Sequence, residues 1–234
     1  MLIQLPLKIN LPDTACFETF VSPDASVALT LSQLQSVDAT GLSQGVYFFG
    51  NGAVGKTHLL QAACRAVSLR GGRSVYFPLK EKQLPLIPDV LRGLEVMDLI
   101  CLDDVDHVIH LPAWQTALQD LQAKSSALGH PLLLSGRIPM ALWPMSVPEL
   151  RDAMFNLLPV ELKPLSEVDD IILALQRHAK IRGFELPKDV ANFIIKRFSM
   201  SLEELLAVLQ ILEQATLAEQ RRLTLPFAKL VLSR

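Results

Sequence analysis

Residues 46–60 read Val-Tyr-Phe-Phe-Gly-Asn-Gly-Ala-Val-Gly-Lys-Thr-His-Leu-Leu, an apolar run, a glycine-rich loop and the start of a second apolar pattern. The first run predicts a buried strand, and apolar residues at helical spacing from Leu59 to Val67 predict an amphipathic helix. Residues 50–57 between them have the form G-x-x-x-x-G-K-T, which in a strand-loop-helix context is typical of a phosphate-binding loop. The alternative is a glycine-rich turn with only a structural role.

Each residue type in this loop has a task in binding a polyphosphate. Glycines let successive backbone N–H groups curl around the anion, and the N-terminus of the following helix adds a favourable dipole. Lys56 is expected to reach the outer phosphates, and the Thr57 hydroxyl is expected to bind Mg²⁺. The predicted nucleotide-binding residues are Gly50, Gly52, Ala53, Val54, Gly55, Lys56, Thr57 and His58.

A second apolar run, Leu-Ile-Cys-Leu at 99–102, ends in Asp103 and Asp104. A carboxylate at the end of a neighbouring strand can hold the water shell of Mg²⁺, and a second can orient or deprotonate an attacking water. We therefore predict Asp103, with Thr57, for the magnesium site and Asp104 for the catalytic role. The alternative is that either aspartate caps a helix.

The same region has a spacing that resembles a transition-metal site. Asp103, Asp106, His107 and His110 would need an ordered helix to bring them together, and the residues between them have a core pattern. Surface or capping histidines are therefore the preferred interpretation.

Strand-like runs recur along the first two thirds of the chain. They lie at 46–49, 75–79, 99–102 and 132–134, with a weaker, charge-flanked run at 160–165, and helix-compatible segments separate them. This alternation predicts a parallel sheet with crossover helices. From Ser166 onward only helical periodicity remains. The predicted organisation is an N-terminal segment (1–14), an α/β nucleotide-binding domain (15–164) and a small helical domain (165–234).

Composition restricts the class of protein. The 234 residues carry a formal net charge of −2, which argues against a large nonspecific DNA-binding surface. No stretch approaches the roughly 18 apolar residues of a membrane span, and the N-terminus lacks the pattern of a signal peptide. Cys16, Cys64 and Cys101 are odd in number and lie in apolar surroundings, as expected of reduced thiols. These features predict a cytoplasmic protein without a membrane partner.

Four motifs together resemble the AAA+ ATPases of bacterial replication initiation, the DnaA/Hda family. Gly-Lys-Thr-His-Leu-Leu at 55–60 and the strand ending in Asp103-Asp104 are similar to the whole group. Ile-Arg-Gly-Phe-Glu-Leu-Pro-Lys-Asp-Val at 181–190 and Leu-Thr-Leu-Pro-Phe at 223–227 are similar to the short helical lid of its Hda-type members. The resemblance runs nearly end to end. It implies an AAA+ three-layer αβα domain with a parallel sheet, an all-helical lid, bound ADP or ATP, and Mg²⁺.

The resemblance also implies a function for the first residues of the chain. Gln-Leu-Pro-Leu-Lys-Ile at 4–9 is similar to the motif by which Hda-type proteins dock on the DNA polymerase sliding clamp. Leu7 and Ile9 would enter an apolar pocket while the Gln4 amide bonds at its rim, with Leu5 beside it. Taken alone, such a segment is typical of an edge strand or a disordered end. The implied partners are the clamp and DnaA, with DNA contacted indirectly through the clamp and self-association left open.

Three positions depart from the family pattern. Arg137 stands after the fourth strand where the family has an aspartate, Ala153 stands at the arginine-finger position, and Met200 stands at the lid-arginine position. Alanine cannot stabilise charge on a transferring phosphoryl group. Arg151, two residues away, is the candidate for a shifted finger. Its alternative is a surface arginine paired with Glu149 or Asp152. Arg137 is a candidate for a compensating cation near the phosphates.

The resemblance implies a regulator of replication initiation that promotes hydrolysis of DnaA-bound ATP and so prevents re-initiation. On this interpretation the protein stimulates a partner's ATPase rather than turning over ATP itself. Two alternatives stay open. Because Ala153 removes the expected finger, the protein could be a scaffold that binds clamp and nucleotide without stimulation. It could also be an autonomous AAA+ ATPase such as a helicase loader, although Met200 argues against efficient turnover.

Overall fold

A computed structural model describes residues 15–36, 44–80, 87–198 and 201–233. The strands and α-helices of these residues are α1 (Ala25–Ser36), β1 (Val46–Phe49), α2 (Lys56–Leu69), β2 (Ser74–Pro78), β3 (Leu99–Asp103), α3 (Pro112–Ala127), β4 (Leu132–Gly136), α4 (Pro148–Phe155), β5 (Leu158–Glu161), α5 (Val168–Ile181), α6 (Lys188–Arg197), α7 (Leu202–Glu219) and α8 (Leu225–Leu232). Short 3₁₀ turns, among them Phe17–Thr19 and Val105–His107, connect several of them. Two groups of predicted residues lie outside the described ranges: Met200, and the N-terminal residues Gln4, Leu5, Leu7 and Ile9.

The strands form one parallel sheet in the order β2-β3-β4-β1-β5. Its central strands are buried on both faces, which explains their continuous apolar runs. The predicted parallel sheet is therefore confirmed. The fifth strand differs in extent, because it runs from Leu158 to Glu161 rather than over 160–165. It is an edge strand, where Pro159 is tolerated, and Pro164 has no N–H with which to extend the ladder.

Helices cover both faces of the sheet and produce two separate apolar cores. Residues of α1 and α2 pack on one face, where Leu59, Leu60 and Phe48 are fully buried. Residues of α3 and α4 pack on the other face, around Trp114 and Leu118. This is the predicted three-layer αβα arrangement.

The last four helices, called here the lid, have an apolar core of their own. Ile171 and Leu175 of α5 pack with residues of α6, α7 and α8. An ion pair from Arg182 to Glu213, 3.2 Å long, joins the end of α5 to α7. Helix α5 also contacts the 3₁₀ turn Phe17–Thr19. In the described part of the chain, no helix combines the length and the apolar character that a membrane crossing requires.

Candidate functional site

The glycine-rich loop lies at the carboxyl edge of the sheet, between β1 and the first turn of α2. The Gly50 amide donates to the Gly136 carbonyl at 3.2 Å, which ties the loop to β4. Gly55 is the N-cap residue of α2 with φ 90°, a conformation that favours glycine. A Cβ there would lie 2.6 Å from the Phe20 ring, so this position also lacks room for a side chain. The strand, loop and helix N-terminus thus have the order that phosphate binding requires.

The Lys56 ammonium lies inside the curl of the loop. Its Nζ donates to the carbonyls of Gly50, at 2.6 Å, and Gly52, at 3.0 Å. Burial lowers the pKa of Lys56, while the nearby charges of Asp104 and Asp103 act in the opposite direction. No carboxylate in the described ranges accepts a hydrogen bond or ion pair from Nζ. The cation is therefore held by neutral carbonyls, from which an anionic ligand can attract it.

The structure brings Asp103 and Thr57 together. Asp103 is 2% exposed, and its Oδ2 accepts from the Thr57 hydroxyl at 2.7 Å and from the Tyr76 hydroxyl at 2.7 Å. Its Oδ1 accepts from the Ser135 hydroxyl. A hydroxyl and a carboxylate in contact beside a phosphate loop are the hard oxygen donors that Mg²⁺ takes, directly or through its waters. Thr57 and Asp103 therefore fit a magnesium ion.

Tyr76 and Ser135 were not predicted from the sequence. Ser135 lies one residue before the carboxyl end of β4, whereas Tyr76 lies in the middle of β2. The position of Ser135 was an available signal, since carboxyl ends of neighbouring parallel strands meet at one edge of the sheet; Tyr76 carried none. The hydrogen bonds to Asp103 show that both residues fix its carboxylate.

Asp104 lies beside this cluster in a left-handed conformation with φ 58°. Its backbone amide donates to Ser135 Oγ at 2.9 Å, which holds the residue at the end of β3. Burial raises the pKa of Asp104, the charge of Asp103 raises it further, and Lys80, His107 and Lys56 oppose the shift. A carboxylate with a raised pKa is a better proton acceptor. The geometry is compatible with the predicted role of Asp104.

Arg137 follows β4 directly, where Gly136 pairs with Phe49 next to the loop. Its backbone amide donates to the Asp106 carboxylate, and its Nε lies 3.6 Å from the same carboxylate oxygen. The Arg137 side chain is 60% exposed. Among the described residues, no group of three or more His, Cys, Asp or Glu side chains is arranged to hold a metal ion, so the Asp-His spacing around Asp106 does not form a transition-metal cluster.

Helix α4 carries both candidate finger positions. Arg151 is exposed, and within the described ranges it forms no ion pair with Glu149 or Asp152. Ala153 is half-buried against the core of α3 and α4. The structure therefore turns Arg151 to the surface and Ala153 partly inward.

The His58 side chain contacts residues 16–20, called here the N-terminal turn. Its Nε2 lies 2.9 Å from the Cys16 carbonyl oxygen and 3.0 Å from Thr19 Oγ1. The Phe20 ring stacks on the imidazole with centroids 6.3 Å apart. Burial lowers the pKa of His58. Because the imidazole is engaged by this turn, we expect the predicted contact with a nucleotide to come from the His58 backbone amide.

The lid reaches the same turn through α5. Arg177 Nη1 donates to the Phe20 carbonyl at 2.9 Å. The His178 ring is edge-on to His58 at a centroid distance of 5.7 Å, and its side chain is buried. Neither lid residue was predicted from the sequence, since an isolated arginine and histidine on an amphipathic helix carry no functional pattern.

We expect the pH dependence of stability to report on His178. Burial lowers its pKa to about 4, and the charges of His58 and Arg182 lower it further. Because the unfolded chain takes up the proton near pH 6.5, the free energy of unfolding should fall as pH drops from about 6.5 to 4, by up to about 3 kcal/mol. In His178→Gln this pH-dependent part of the free energy of unfolding should be absent. Urea unfolding of the wild type and of the variant across this pH range measures the difference. The exposed His110→Gln is the matched control. Parallel profiles for wild type and His178→Gln would contradict the assignment.

Comparisons with known proteins agree with this architecture. Residues 169–232 match the family model described as "Hda, lid domain". The fold is similar to domain III of the replication initiation protein DnaA from Thermotoga maritima, with 22% identity, a TM-score of 0.71 and coverage of 95% of this chain and 97% of that one. It is also similar to AMPPCP-bound DnaA from Aquifex aeolicus, with 18% identity, a TM-score of 0.67 and coverage of 87% and 66%. The Thermotoga maritima RuvB branch migration motor matches at 16% identity and a TM-score of 0.64, over 95% of this chain and 72% of that one.

Proposed function

We propose that this chain, whose residues 169–232 match an Hda lid model and whose fold is similar to that of DnaA domain III, is a cytoplasmic regulator of replication initiation. In this proposal it binds an adenine nucleotide with Mg²⁺, docks on the DNA polymerase sliding clamp, and promotes hydrolysis of DnaA-bound ATP. DNA is reached through the clamp. The observation that carries the proposal is the coexistence, in one chain, of the phosphate-loop geometry and the Hda lid match.

The nucleotide part of the proposal rests on the loop and on Asp103. The amides around Gly52 and Gly55 and the Lys56 ammonium would contact the phosphates. Thr57 and Asp103 would hold Mg²⁺, which would neutralise charge on the phosphate oxygens. Asp104, with its raised pKa, would orient or deprotonate a water. That an AMPPCP complex exists for Aquifex aeolicus DnaA supports the choice of adenine.

The regulatory part is tested in a reconstituted reaction. DnaA loaded with labelled ATP would be mixed with clamp loaded on DNA, and hydrolysis would be measured with and without this chain. We expect hydrolysis above that of DnaA alone, and that the increase requires clamp and nucleotide. Hydrolysis equal to that of DnaA alone would remove the stimulatory role.

We expect the N-terminal segment to be required for clamp binding. Changing Gln4, Leu5 and Leu7 together to alanine removes the amide and the apolar anchors, so the clamp should no longer pull down the protein. A variant with Lys8→Ala is the matched control, since it lies in the same segment without belonging to the predicted anchors. Thermal unfolding should be the same for both variants. Retained clamp binding by the triple variant would show that another surface makes the contact.

One observation favours a second function, a scaffold that binds clamp and nucleotide without stimulation. Ala153 occupies the expected finger position and is half-buried against the core of α3 and α4. The reconstituted reaction separates the two functions, because a scaffold would retain clamp binding without increasing hydrolysis. An autonomous ATPase would instead hydrolyse ATP steadily in the absence of DnaA, in a manner dependent on Lys56 and Asp104.

A further inference from the structure

The N-terminal turn lies between two parts of the molecule that a nucleotide would have to influence together. It contacts the phosphate loop and α2 on one side and the first lid helix on the other. We propose that the N-terminal turn transmits the state of the phosphate loop to the lid, with Phe20 and His58 as its contacts toward the loop and Arg177 and His178 as those of the lid. This inference rests on the proposed nucleotide binding for its ligand.

On the loop side, Phe20 lies against the residue that starts α2. Its ring would be 2.6 Å from a Cβ at Gly55, so the ring and the loop backbone are in van der Waals contact across the missing side chain. The ring also stacks on His58, which follows Thr57 and anchors the turn at the Cys16 carbonyl. Because phosphate binding recruits the amides of this loop, a shift of the Gly55 backbone would press on Phe20.

On the lid side, the same residue is the point of attachment. The Phe20 carbonyl accepts from Arg177, so one residue contacts the loop with its ring and the lid with its backbone. His178 packs edge-on to His58, and its Nδ1 is buried with no hydrogen-bond partner in the described ranges. This contact therefore depends on close packing between the histidines rather than on a hydrogen bond.

Movement of α5 would extend to the remainder of the lid. Ile171, Leu175 and Ala179 of α5 belong to the apolar core that the four lid helices share. The ion pair between Arg182 and Glu213 joins α5 to α7. Packed cores shift as units rather than deform continuously, so a displacement of α5 by the turn would be passed to the whole lid.

Hydrogen exchange of the 234-residue chain tests the inference. Without nucleotide, Arg177→Ala should raise amide exchange about fivefold both in α5 and around residues 16–20, since it removes one hydrogen bond shared by the two. Phe20→Ala changes the contact of the turn with the phosphate loop. It should also raise amide exchange in α5, because coupling between two sites is reciprocal. The control is Lys180→Ala, an exposed change on the same helix. Thermal unfolding identifies any variant that fails to fold. Because Arg177 is exposed, we expect Arg177→Ala to fold, so the test can be carried out with this variant.

With ADP and Mg²⁺, the wild type should show slower exchange in the phosphate loop and also in α5. In Arg177→Ala the slowing should be confined to the loop and α2. Equal slowing of α5 in wild type and Arg177→Ala would overturn the inference, as would unchanged exchange at residues 16–20 in the nucleotide-free variant. If ADP and ATPγS leave the wild-type loop unaffected, the proposed nucleotide binding fails, while the nucleotide-free comparison still decides whether the turn couples the two parts.

Discussion

Lys56→Ala should weaken nucleotide binding on the order of 100-fold, measured by titration with fluorescent ADP in the presence of Mg²⁺. The Lys56 ammonium lies inside the loop, and its hydrogen bonds to described residues are those to the carbonyls of Gly50 and Gly52. When phosphate oxygens replace these neutral acceptors, the hydrogen bonds donated by the Lys56 ammonium become shorter and stronger, because the new acceptor is ionised. Alanine removes this gain completely.

The matched control is Lys124→Ala, an exposed lysine in the last turn of α3, remote from the loop. Its nucleotide affinity should equal that of the wild type, which would exclude a general effect of lowering the positive charge. Urea unfolding of both variants separates lost binding from lost folding. Wild-type affinity in Lys56→Ala would show that the loop is a structural turn rather than a phosphate site.

Arg151→Ala should lower the proposed stimulation of DnaA-bound ATP hydrolysis about 10³-fold, if the exposed guanidinium supplies the charge that an arginine finger provides. Arg151 is exposed on α4 and is not engaged by Glu149 or Asp152 in the described ranges, so it is available to a second protein. The measurement is ATP hydrolysis in the reconstituted reaction with clamp, DNA and DnaA.

Two controls are needed to interpret the result for Arg151→Ala. Arg92→Ala changes another exposed arginine, one that pairs with Asp89 three residues earlier, and should leave stimulation unchanged. Clamp pull-down and nucleotide affinity should be normal in Arg151→Ala, because α4 and the helix that follows the phosphate loop pack on opposite faces of the sheet. Undiminished stimulation by Arg151→Ala would deny this residue the finger role. If the wild type also fails to stimulate, the scaffold function is favoured.

The sequence predicted those parts of the fold that depend on local pattern. Continuous apolar runs identified the central strands because both of their faces are buried. The edge strand was misplaced by two residues at its start, since Leu158 and Pro159 are exposed and carry no core pattern. Edge position is a property of the assembled sheet and has no local signature.

The residues of the candidate site likewise fall into those that the sequence predicted and those that it did not. Lys56, Thr57 and Asp103 could be predicted because each occupies a fixed place relative to a glycine or a strand end. Tyr76 and Ser135 bond Asp103 from separate strands, and Arg177 and Phe20 meet across 157 positions of sequence. Such contacts arise only from tertiary packing, so a single sequence gives no pattern from which to infer them.

The carboxylate of Asp103 accepts hydrogen bonds from hydroxyls of α2, β2 and β4, which are brought together by the sheet and the helix packed on it. Its orientation is therefore fixed when the strands come together, before any ion arrives. A divalent cation would meet a preorganised receptor, so its capture should be a rapid encounter that demands little rearrangement of the backbone. The entropy lost in arranging those oxygens is lost when the chain folds and not when the ion binds. The affinity for the ion should therefore fall if the sheet is disrupted.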